Sequence, residues 1–242
     1  MKYHYPRLVE LIVCLACLAL ISLSPLLVDV DHWIQAFLFR PEFKSWLVAP
    51  DERGLLHLVF YRGPKLALVL AGLGVVSWLA LRSWVRGWDE ESFNKALCLL
   101  AMVSIPIIVG ALKGATGVSC PVQEWQYGGD YQHVAIRDQL MHWRAAADNF
   151  HCWPAGHASG GFALFALRLW HVPGARAGKG VWMWLVPGLV LGWAMGLYQM
   201  ARGQHYLSHT LATMCIAWIV TSAVLLIHEH LRAAEPDGFR RL

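Results

Sequence analysis

Charged side chains are scarce in this chain. Only 15% of its 242 residues are Asp, Glu, Lys or Arg, whereas 57% are apolar and the mean hydropathy is +0.44. This balance excludes an ordinary soluble globular protein and is typical of integral membrane proteins. The sequence also lacks internal repeats and low-complexity segments, so we expect a single domain over residues 1–242.

Six apolar runs are long enough, or nearly so, to cross the membrane, since a hydrocarbon core of ~30 Å takes roughly 20 helical residues. The runs are Leu8 to Val28, Lys65 to Leu81, Lys95 to Leu112, Ala158 to Val172, Val181 to Met200 and Ser208 to Ile227. They predict an all-α integral membrane bundle of six transmembrane helices. A long extracytoplasmic loop is expected at about 114–157.

The first run follows Lys2 and Arg7, as the apolar core of a signal peptide does. It is longer than such a core, and Ser24, Pro25 and Leu26 offer no small-residue cleavage site. We therefore expect it to be retained as a membrane helix.

Basic residues indicate the orientation. With six spans, the side that holds both termini carries eleven Lys and Arg residues against nine on the other side. The positive-inside rule then places both termini in the cytoplasm. We expect an integral protein of a bacterial inner membrane whose polar clusters face the periplasm.

Two of the six cysteines differ from the rest because they lie in the long loop after the third run. Cys120 and Cys152 each fall close to a proline, whereas Cys14, Cys17 and Cys98 lie within apolar runs, as does Cys215. On an oxidising side of the membrane a disulfide between Cys120 and Cys152 is expected. Two unpaired thiols are the alternative at this stage.

Three polar clusters stand at the ends of apolar runs: KGATGVSCP from Lys113 to Pro121, PAGH from Pro154 to His157, and QMARGQHYLSH from Gln199 to His209. Lysine supplies a cation, a proline-led helix start presents free N–H groups to an anion, and histidine exchanges a proton. Each cluster also has an ordinary explanation alone, namely an interfacial lysine that reaches toward water or a histidine that caps a helix.

The third cluster carries more information. His205 and His209 are four residues apart, so they share one face if this stretch is helical, with Arg202 one turn earlier on the same side. Such a pair also occurs in metal and haem sites. Arg202 and Lys113 favour a phosphate instead, because cations repel a metal ion and attract an anion.

These three clusters resemble the signature motifs of the type 2 phosphatidic acid phosphatase superfamily, the membrane lipid phosphate phosphatases. Its pattern is a lysine followed after six residues by Arg-Pro, then Pro-Ser-Gly-His, then an arginine, five residues, a histidine and, four further on, an aspartate. The resemblance spans about residues 113 to 213 and agrees in order, spacing and six-helix layout.

The resemblance implies a role for each matching residue. His205 is expected to be the nucleophile that forms a phosphohistidine, His157 the general acid on the leaving oxygen, and His209 the group that orients the nucleophile. The expected phosphate-binding residues are Lys113, Arg202, Gly156 and Gln199. The resemblance implies no metal and no cofactor.

Four positions depart from the family pattern: Cys120 and Gln199 replace its arginines, Ala155 its serine and His209 its aspartate. We expect Arg202 to reach the phosphate, and Arg137 or Arg144 to replace the first arginine. Neutral His209 is expected to accept the Nδ1–H of His205, although it lacks the charge of a carboxylate.

The expected function is hydrolysis of a lipid phosphate or pyrophosphate through a phosphohistidine at the extracytoplasmic face. The substrate partner is then a membrane phospholipid or another lipid phosphate in the bilayer; no nucleic acid is expected, and the sequence does not indicate the oligomeric state. Open alternatives are a lipid phosphotransferase with the same intermediate, a haem-binding membrane protein and a catalytically inactive one. Aromatic residues of the long loop either anchor it at the interface or cover the lipid headgroup.

Overall fold

A computed structural model describes residues 4–49, 51–142, 150–170 and 180–234, and most of these residues are helical. The helices are α1 His4–Leu23, α2 Pro25–Leu38, α3 Leu55–His57, α4 Gly63–Arg86, α5 Glu90–Thr116, α6 Ile136–His142, α7 Gly156–Phe162, α8 Gly180–Ala201 and α9 Leu207–Ala234. Short 3₁₀ turns cover Pro41–Phe43, Pro121–Gln123, Trp125–Tyr127 and Ala163–Leu169, and a π-turn covers Leu58–Arg62. In the described part, sheet is limited to the two-residue strands β1 Phe39–Arg40 and β2 Ser45–Trp46, which pair antiparallel.

Within the described residues, four helices are long and apolar enough to cross a membrane: Leu55–Arg86, Glu90–Gln123, Trp184–Ala201 and Leu207–His230. The pair Arg7–Leu23 and Pro25–Leu38, bent by 68°, gives a fifth if it counts as one span. The expected all-helical membrane class is confirmed. Six spans stay a prediction.

The first apolar run, expected to be one helix over Leu8 to Val28, is broken at Ser24. Proline has no N–H to continue a helix but fits the first position of a new one, so Pro25 begins α2 in a new direction. The bend directs α2 toward the centre of the bundle, where Asp31 and Gln35 are buried.

The fourth run, Ala158 to Val172, forms α7 and then the 3₁₀ segment Ala163–Leu169. Residues 171–179 lie outside the described part. Glycine permits close packing here: a Cβ at Gly161 would meet the backbone of Gly192 in α8. α7 therefore lies directly against α8.

The ends of the bundle differ in their polar groups. The C-terminal ends of α5 and α8 meet the N-terminal ends of α7 and α9, and all three polar clusters lie there. At the opposite end, Arg7 lies 2.9 Å from Glu10 and 3.4 Å from Glu229, and Arg168 lies 3.2 Å from Glu10. The expected gathering of the clusters at one end is observed.

Candidate active site

Lys113 lies in the last turn of α5, beside the first turn of α7. A Cβ on Gly156 would lie 3.8 Å from the Lys113 Nζ, so the ammonium lies close to the start of α7. The α7 segment is also tied to α9, because the Ala155 N–H donates to the His209 carbonyl at 3.2 Å. The first and second clusters are therefore in contact, as the sequence predicted.

His205 is held in the tight turn between α8, which ends at Ala201, and α9, which begins at Leu207. The expected helix face shared by Arg202, His205 and His209 is therefore wrong, because only His209 of the three is helical. Gly203 has φ of 69°, in the left-handed region that favours glycine, and a Cβ there would meet the ring of Trp46. The Gly203 carbonyl accepts from the Val122 N–H at 2.9 Å, and the His205 carbonyl accepts from Gln35 Nε2 at 2.8 Å. Contacts from the long loop and α2 thus fix the turn.

The three histidines expected at the site do come together. The ring centroids of His157 and His205 are 6.0 Å apart, and those of His205 and His209 are 5.9 Å apart. His205 and His209 are buried, with 1% and 3% of their surface exposed. The residues expected to act as nucleophile, acid and orienting group therefore occupy neighbouring positions.

The expected hydrogen bond from His205 to His209 is not observed. Among the described residues, no hydrogen-bond partner of normal geometry faces Nδ1 of either ring. The Nδ1 of His157 also lacks one. His209 thus lies near His205 but does not make the hydrogen bond to it that the aspartate of the family pattern is expected to make.

Arg202 lies at the site, as expected. It is 9% exposed, its Nη1 lies 3.3 Å from His57 Nδ1, and its guanidinium lies 5.5 Å from the centroid of the Tyr198 ring. Its buried Nε has no hydrogen-bond partner among the described residues. A buried guanidinium with an N–H unused is suited to receive an anion.

The start of the α4 span adds residues that the sequence analysis missed. Tyr61 lies with its ring centroid 4.5 Å from that of His157, and Lys65 lines the same cavity as His157 and Lys113. His57, Tyr61 and Lys65 are spaced four apart, which is the signal of one polar helix face and was visible in the sequence. Lys65 thus brings a further cation close to His157.

Other expected phosphate-binding residues are placed less directly. Gln199 is 1% exposed, and its backbone carbonyl accepts from the Gln204 N–H at 2.9 Å, which shapes the turn before His205. The Arg137 guanidinium pairs with Asp138 at 3.6 Å and makes no described contact with the cluster. Arg144 lies outside the described residues.

Asp31 is a further residue to which the sequence analysis assigned no role. Its carboxylate accepts a hydrogen bond from the Ser208 N–H at 2.9 Å and one from the Ser208 hydroxyl. A residue of α2 thus caps the free N–H groups at the start of α9, where a negative charge is favourable. Asp31 stands three residues beyond the end of the first apolar run, and an acid so close to such a run is a sequence signal for a role of this kind.

Burial and positive neighbours keep the site histidines neutral. Burial, with His209, Lys113 and His157 nearby, holds the pKa of His205 well below its ordinary value, against the effect of the Cys152 backbone. Burial lowers the pKa of His157 to about 4, and Lys113, Lys65, Arg202 and His57 contribute. A neutral imidazole has a lone pair free for attack, whereas an imidazole must carry a proton before it can act as an acid.

We expect anion binding at neutral pH to be accompanied by proton uptake. A dianion reverses the local field and raises the pKa of His157 from about 4, so affinity increases as pH falls toward that value. Sulfate is the suitable probe, because it does not itself titrate in this range. Calorimetry in buffers of different ionisation enthalpy measures the uptake, and His157→Gln should lose it; equal uptake in both proteins contradicts the expectation.

The structure pairs Cys120 with Cys152 in a disulfide, with Cα atoms 5.3 Å apart. This distance lies within the range of about 4.4–6.8 Å that a disulfide requires. The bond joins the end of the first cluster to the residues just before the PAGH segment. Close by, the Thr116 hydroxyl donates to the Trp153 carbonyl at 2.7 Å and the Cys152 N–H to the Val118 carbonyl at 3.1 Å.

We expect this disulfide in protein purified without reductant. Mass spectrometry after alkylation should find Cys120 and Cys152 linked and Cys17, a free and exposed cysteine, alkylated. Replacing both linked cysteines by serine should lower the free energy of unfolding by about 3–4 kcal/mol through the entropy of the open chain. Cys17→Ser is the control, and alkylation of all three thiols would contradict the pairing.

A cavity of about 710 Å³ runs from the polar cluster down between α4, α5 and α7. Tyr61, Lys65, Lys113 and His157 line its polar end. The remaining wall is mainly apolar and includes Leu68, Leu73, Leu99, Met102, Val103 and Ile107. The cavity joins a cationic end to a long apolar groove within the predicted membrane region.

Comparison with known families agrees with this geometry. The model of the PAP2 superfamily matches residues 95–233, which include all three polar clusters. Neither a curated protein nor a solved structure gives a significant match to the chain. Because the family model covers more than half of the sequence, the chain belongs to the PAP2 superfamily, whose members act on phosphate esters.

Proposed function

We propose that this protein is a membrane lipid phosphate phosphatase. The observation that carries the proposal is the cavity, because it places Lys65, Lys113 and His157 at one end of an apolar groove between membrane helices. A molecule that fills it has an anionic head and a hydrocarbon tail. A lipid phosphate has that form.

In the proposed reaction His205 attacks the phosphorus and His157 protonates the leaving oxygen. The phosphoryl group passes to the imidazole of His205, and the dephosphorylated lipid leaves as an alcohol or a lower phosphate. His157, now neutral, takes a proton from water as that water attacks the phosphohistidine. Inorganic phosphate is released and His205 is restored.

Lys113, Arg202 and Lys65 are proposed to hold the phosphoryl oxygens. Charge moves onto these oxygens and the leaving group in the transition state, so fixed cations in a site shielded from water stabilise it. Gly156 is proposed to assist because it begins α7 beside the Lys113 ammonium, where the free N–H groups of the helix start favour an anion. Gln199 is proposed to act by shaping the turn that carries His205.

The proposed orientation has both termini in the cytoplasm and the active site on the periplasmic side of a bacterial inner membrane. The fourth apolar run, which begins at Ala158, is proposed to be the one further span that brings the total to six. Its far end is supported by Arg168, which meets Glu10 of α1 at the end opposite the histidines. Part of this segment is a 3₁₀ helix, whose rise per residue is larger than that of an α-helix. The same number of residues therefore reaches further across the membrane.

One alternative is less well supported by the geometry. The small cavity beside His209 measures about 20 Å³, which leaves no room for haem there. A phosphotransferase with the same intermediate differs from the proposed phosphatase only in the acceptor. Release of inorganic phosphate in the absence of a lipid acceptor separates the two.

The lipid groove is tested by a series of monoalkyl phosphates of increasing chain length. Each methylene that enters the groove from water contributes about 0.8 kcal/mol, so kcat/KM should rise by up to about fourfold per carbon until the groove is full. Leu73 lines the groove and Leu70 does not, although the two side chains are similarly exposed at 57% and 58%.

Leu73→Trp should therefore shorten the longest chain that is accepted, whereas Leu70→Trp should leave the chain-length profile unchanged. Turnover that is independent of chain length in the wild-type protein would contradict a lipid substrate. An identical profile in both tryptophan variants would contradict the placement of the chain in this groove.

A further inference from the structure

A second polar cluster lies on the other side of Tyr206 from the phosphate site. It contains His32 from α2 and Glu124 and His133 from the long loop. One ligand atom of each residue lies within 4.8 Å of the others. The rings of His32 and His133 meet edge to face with centroids 4.6 Å apart.

Glu124 is held as a metal-binding carboxylate is. It is 1% exposed, and its Oε1 accepts from the Ser119 hydroxyl at 2.8 Å while its Oε2 accepts from the Tyr206 hydroxyl at 2.6 Å. Hydrogen bonds of this kind orient ligating carboxylates in metal sites. Burial of a carboxylate is costly unless hydrogen bonds, a cation or a metal compensate it.

The imidazoles complete the arrangement. Nδ1 of His133 lies 2.8 Å from Glu124 Oε1, and its Nε2 is buried with no hydrogen-bond partner among the described residues. A buried ring nitrogen without a partner is exceptional and calls for an explanation. A cation bound to one nitrogen of the ring explains the unpartnered Nε2, because that nitrogen is then left to the cation while Nδ1 faces Glu124.

The surrounding charge also differs from that of the phosphate site. Asp29 lies close enough to His32 to interact with it electrostatically, and Asp31 lies close enough to His133. Lys113, Lys65 and Arg202 instead surround His157. The two clusters thus favour ions of opposite sign.

We propose that His32, Glu124 and His133 form a site for a divalent transition metal, best matched by Zn²⁺. Two imidazoles and one carboxylate are a ligand set that zinc uses with water in the fourth position, whereas Mg²⁺ and Ca²⁺ prefer oxygen ligands. The metal joins α2 to the long loop and, through Tyr206, to the turn that carries His205. The site adjoins the catalytic cluster, because His133 and His209 line the same small cavity, but the two share no residue and the proposed reaction does not use the metal.

Zinc binding to the full-length protein, purified and stripped with chelator, tests this site. Calorimetry should give one Zn²⁺ per chain, and excess Zn²⁺ should raise the apparent melting temperature while Mg²⁺ does not. His32→Ala and His133→Ala should each weaken zinc binding by more than about tenfold. The isosteric variants His32→Gln and His133→Gln provide the same test if either alanine variant fails to fold.

His209→Ala and His151→Ala are the controls. His209 belongs to the pair of imidazoles whose spacing in the sequence also occurs in metal sites, and His151 is an exposed histidine of the long loop. Both should bind Zn²⁺ as the wild-type protein does. The proposal is overturned if wild-type protein binds no Zn²⁺, if the His32 and His133 variants retain full affinity, or if His209→Ala removes binding.

Discussion

Replacing His205 with alanine is expected to abolish turnover of lipid phosphates, and His157→Ala is expected to lower kcat by at least ~10²-fold, as loss of a general acid does. The His205 variant lacks the proposed phosphoryl acceptor. Its ring is 1% exposed and lies 6.0 Å from that of His157, centroid to centroid, so no described histidine replaces it at the same position.

Release of inorganic phosphate by purified protein measures both effects. His230→Ala is the matched control, because His230 lies on α9 at the opposite end of the bundle and its loss should leave kcat unchanged. Wild-type turnover by His205→Ala would refute the assigned nucleophile. Equal losses in His157→Ala and His230→Ala would refute the assigned acid.

The second large effect is expected at the cations. Lys113→Ala and Arg202→Ala should each lower kcat by about 10²–10³-fold, a loss typical of removing one donor that stabilises transition-state charge. Substrate affinity should fall less, because the charge on the phosphoryl and leaving oxygens grows as the bond breaks. Arg202→Lys keeps the charge without the planar fork and should give an intermediate loss.

Arg137→Ala serves as the control, since the Arg137 guanidinium pairs with Asp138 and makes no described contact with the histidines. An increase in KM with unchanged kcat, in either alanine variant, would mean that the lost cation binds substrate and transition state equally. It would then have no specific part in the chemical step.

The sequence predicted well which polar clusters lie together. Lys113, His157 and His205 stand at helix ends, and the apolar runs determine which ends meet. Periodicity and run length are local properties, so they locate the ends of α5, α8 and α9 without knowledge of packing. The pairing of Cys120 with Cys152 followed from the same reasoning.

Packing between distant segments was harder to predict. Asp31 caps α9 and Gln35 supports the His205 carbonyl only because the chain bends at Ser24. The sequence analysis did not predict this bend, since the apolar run continues through it, although Pro25 is a signal for it. The fit of Gly203 against Trp46 depends on segments far apart in the chain. No local pattern encodes such contacts.

The departures from the family pattern show the same limit. The sequence suggested that His209 would bond to His205 and that an arginine of the loop would replace the one lost at Cys120. The structure instead places Lys65 near His157, from a helix outside the motifs. Compensation in three dimensions need not come from the segment in which the change occurred.

The most direct test of the central claim is to trap the phosphorylated protein. A ³²P-labelled lipid phosphate should transfer its label, in rapid-quench experiments, to the peptide that contains His205. The linkage should be labile to acid and stable to base, as a phosphohistidine is, and should be absent from His205→Ala. Steady release of phosphate with no labelled peptide, or with the label on another residue, would contradict the account.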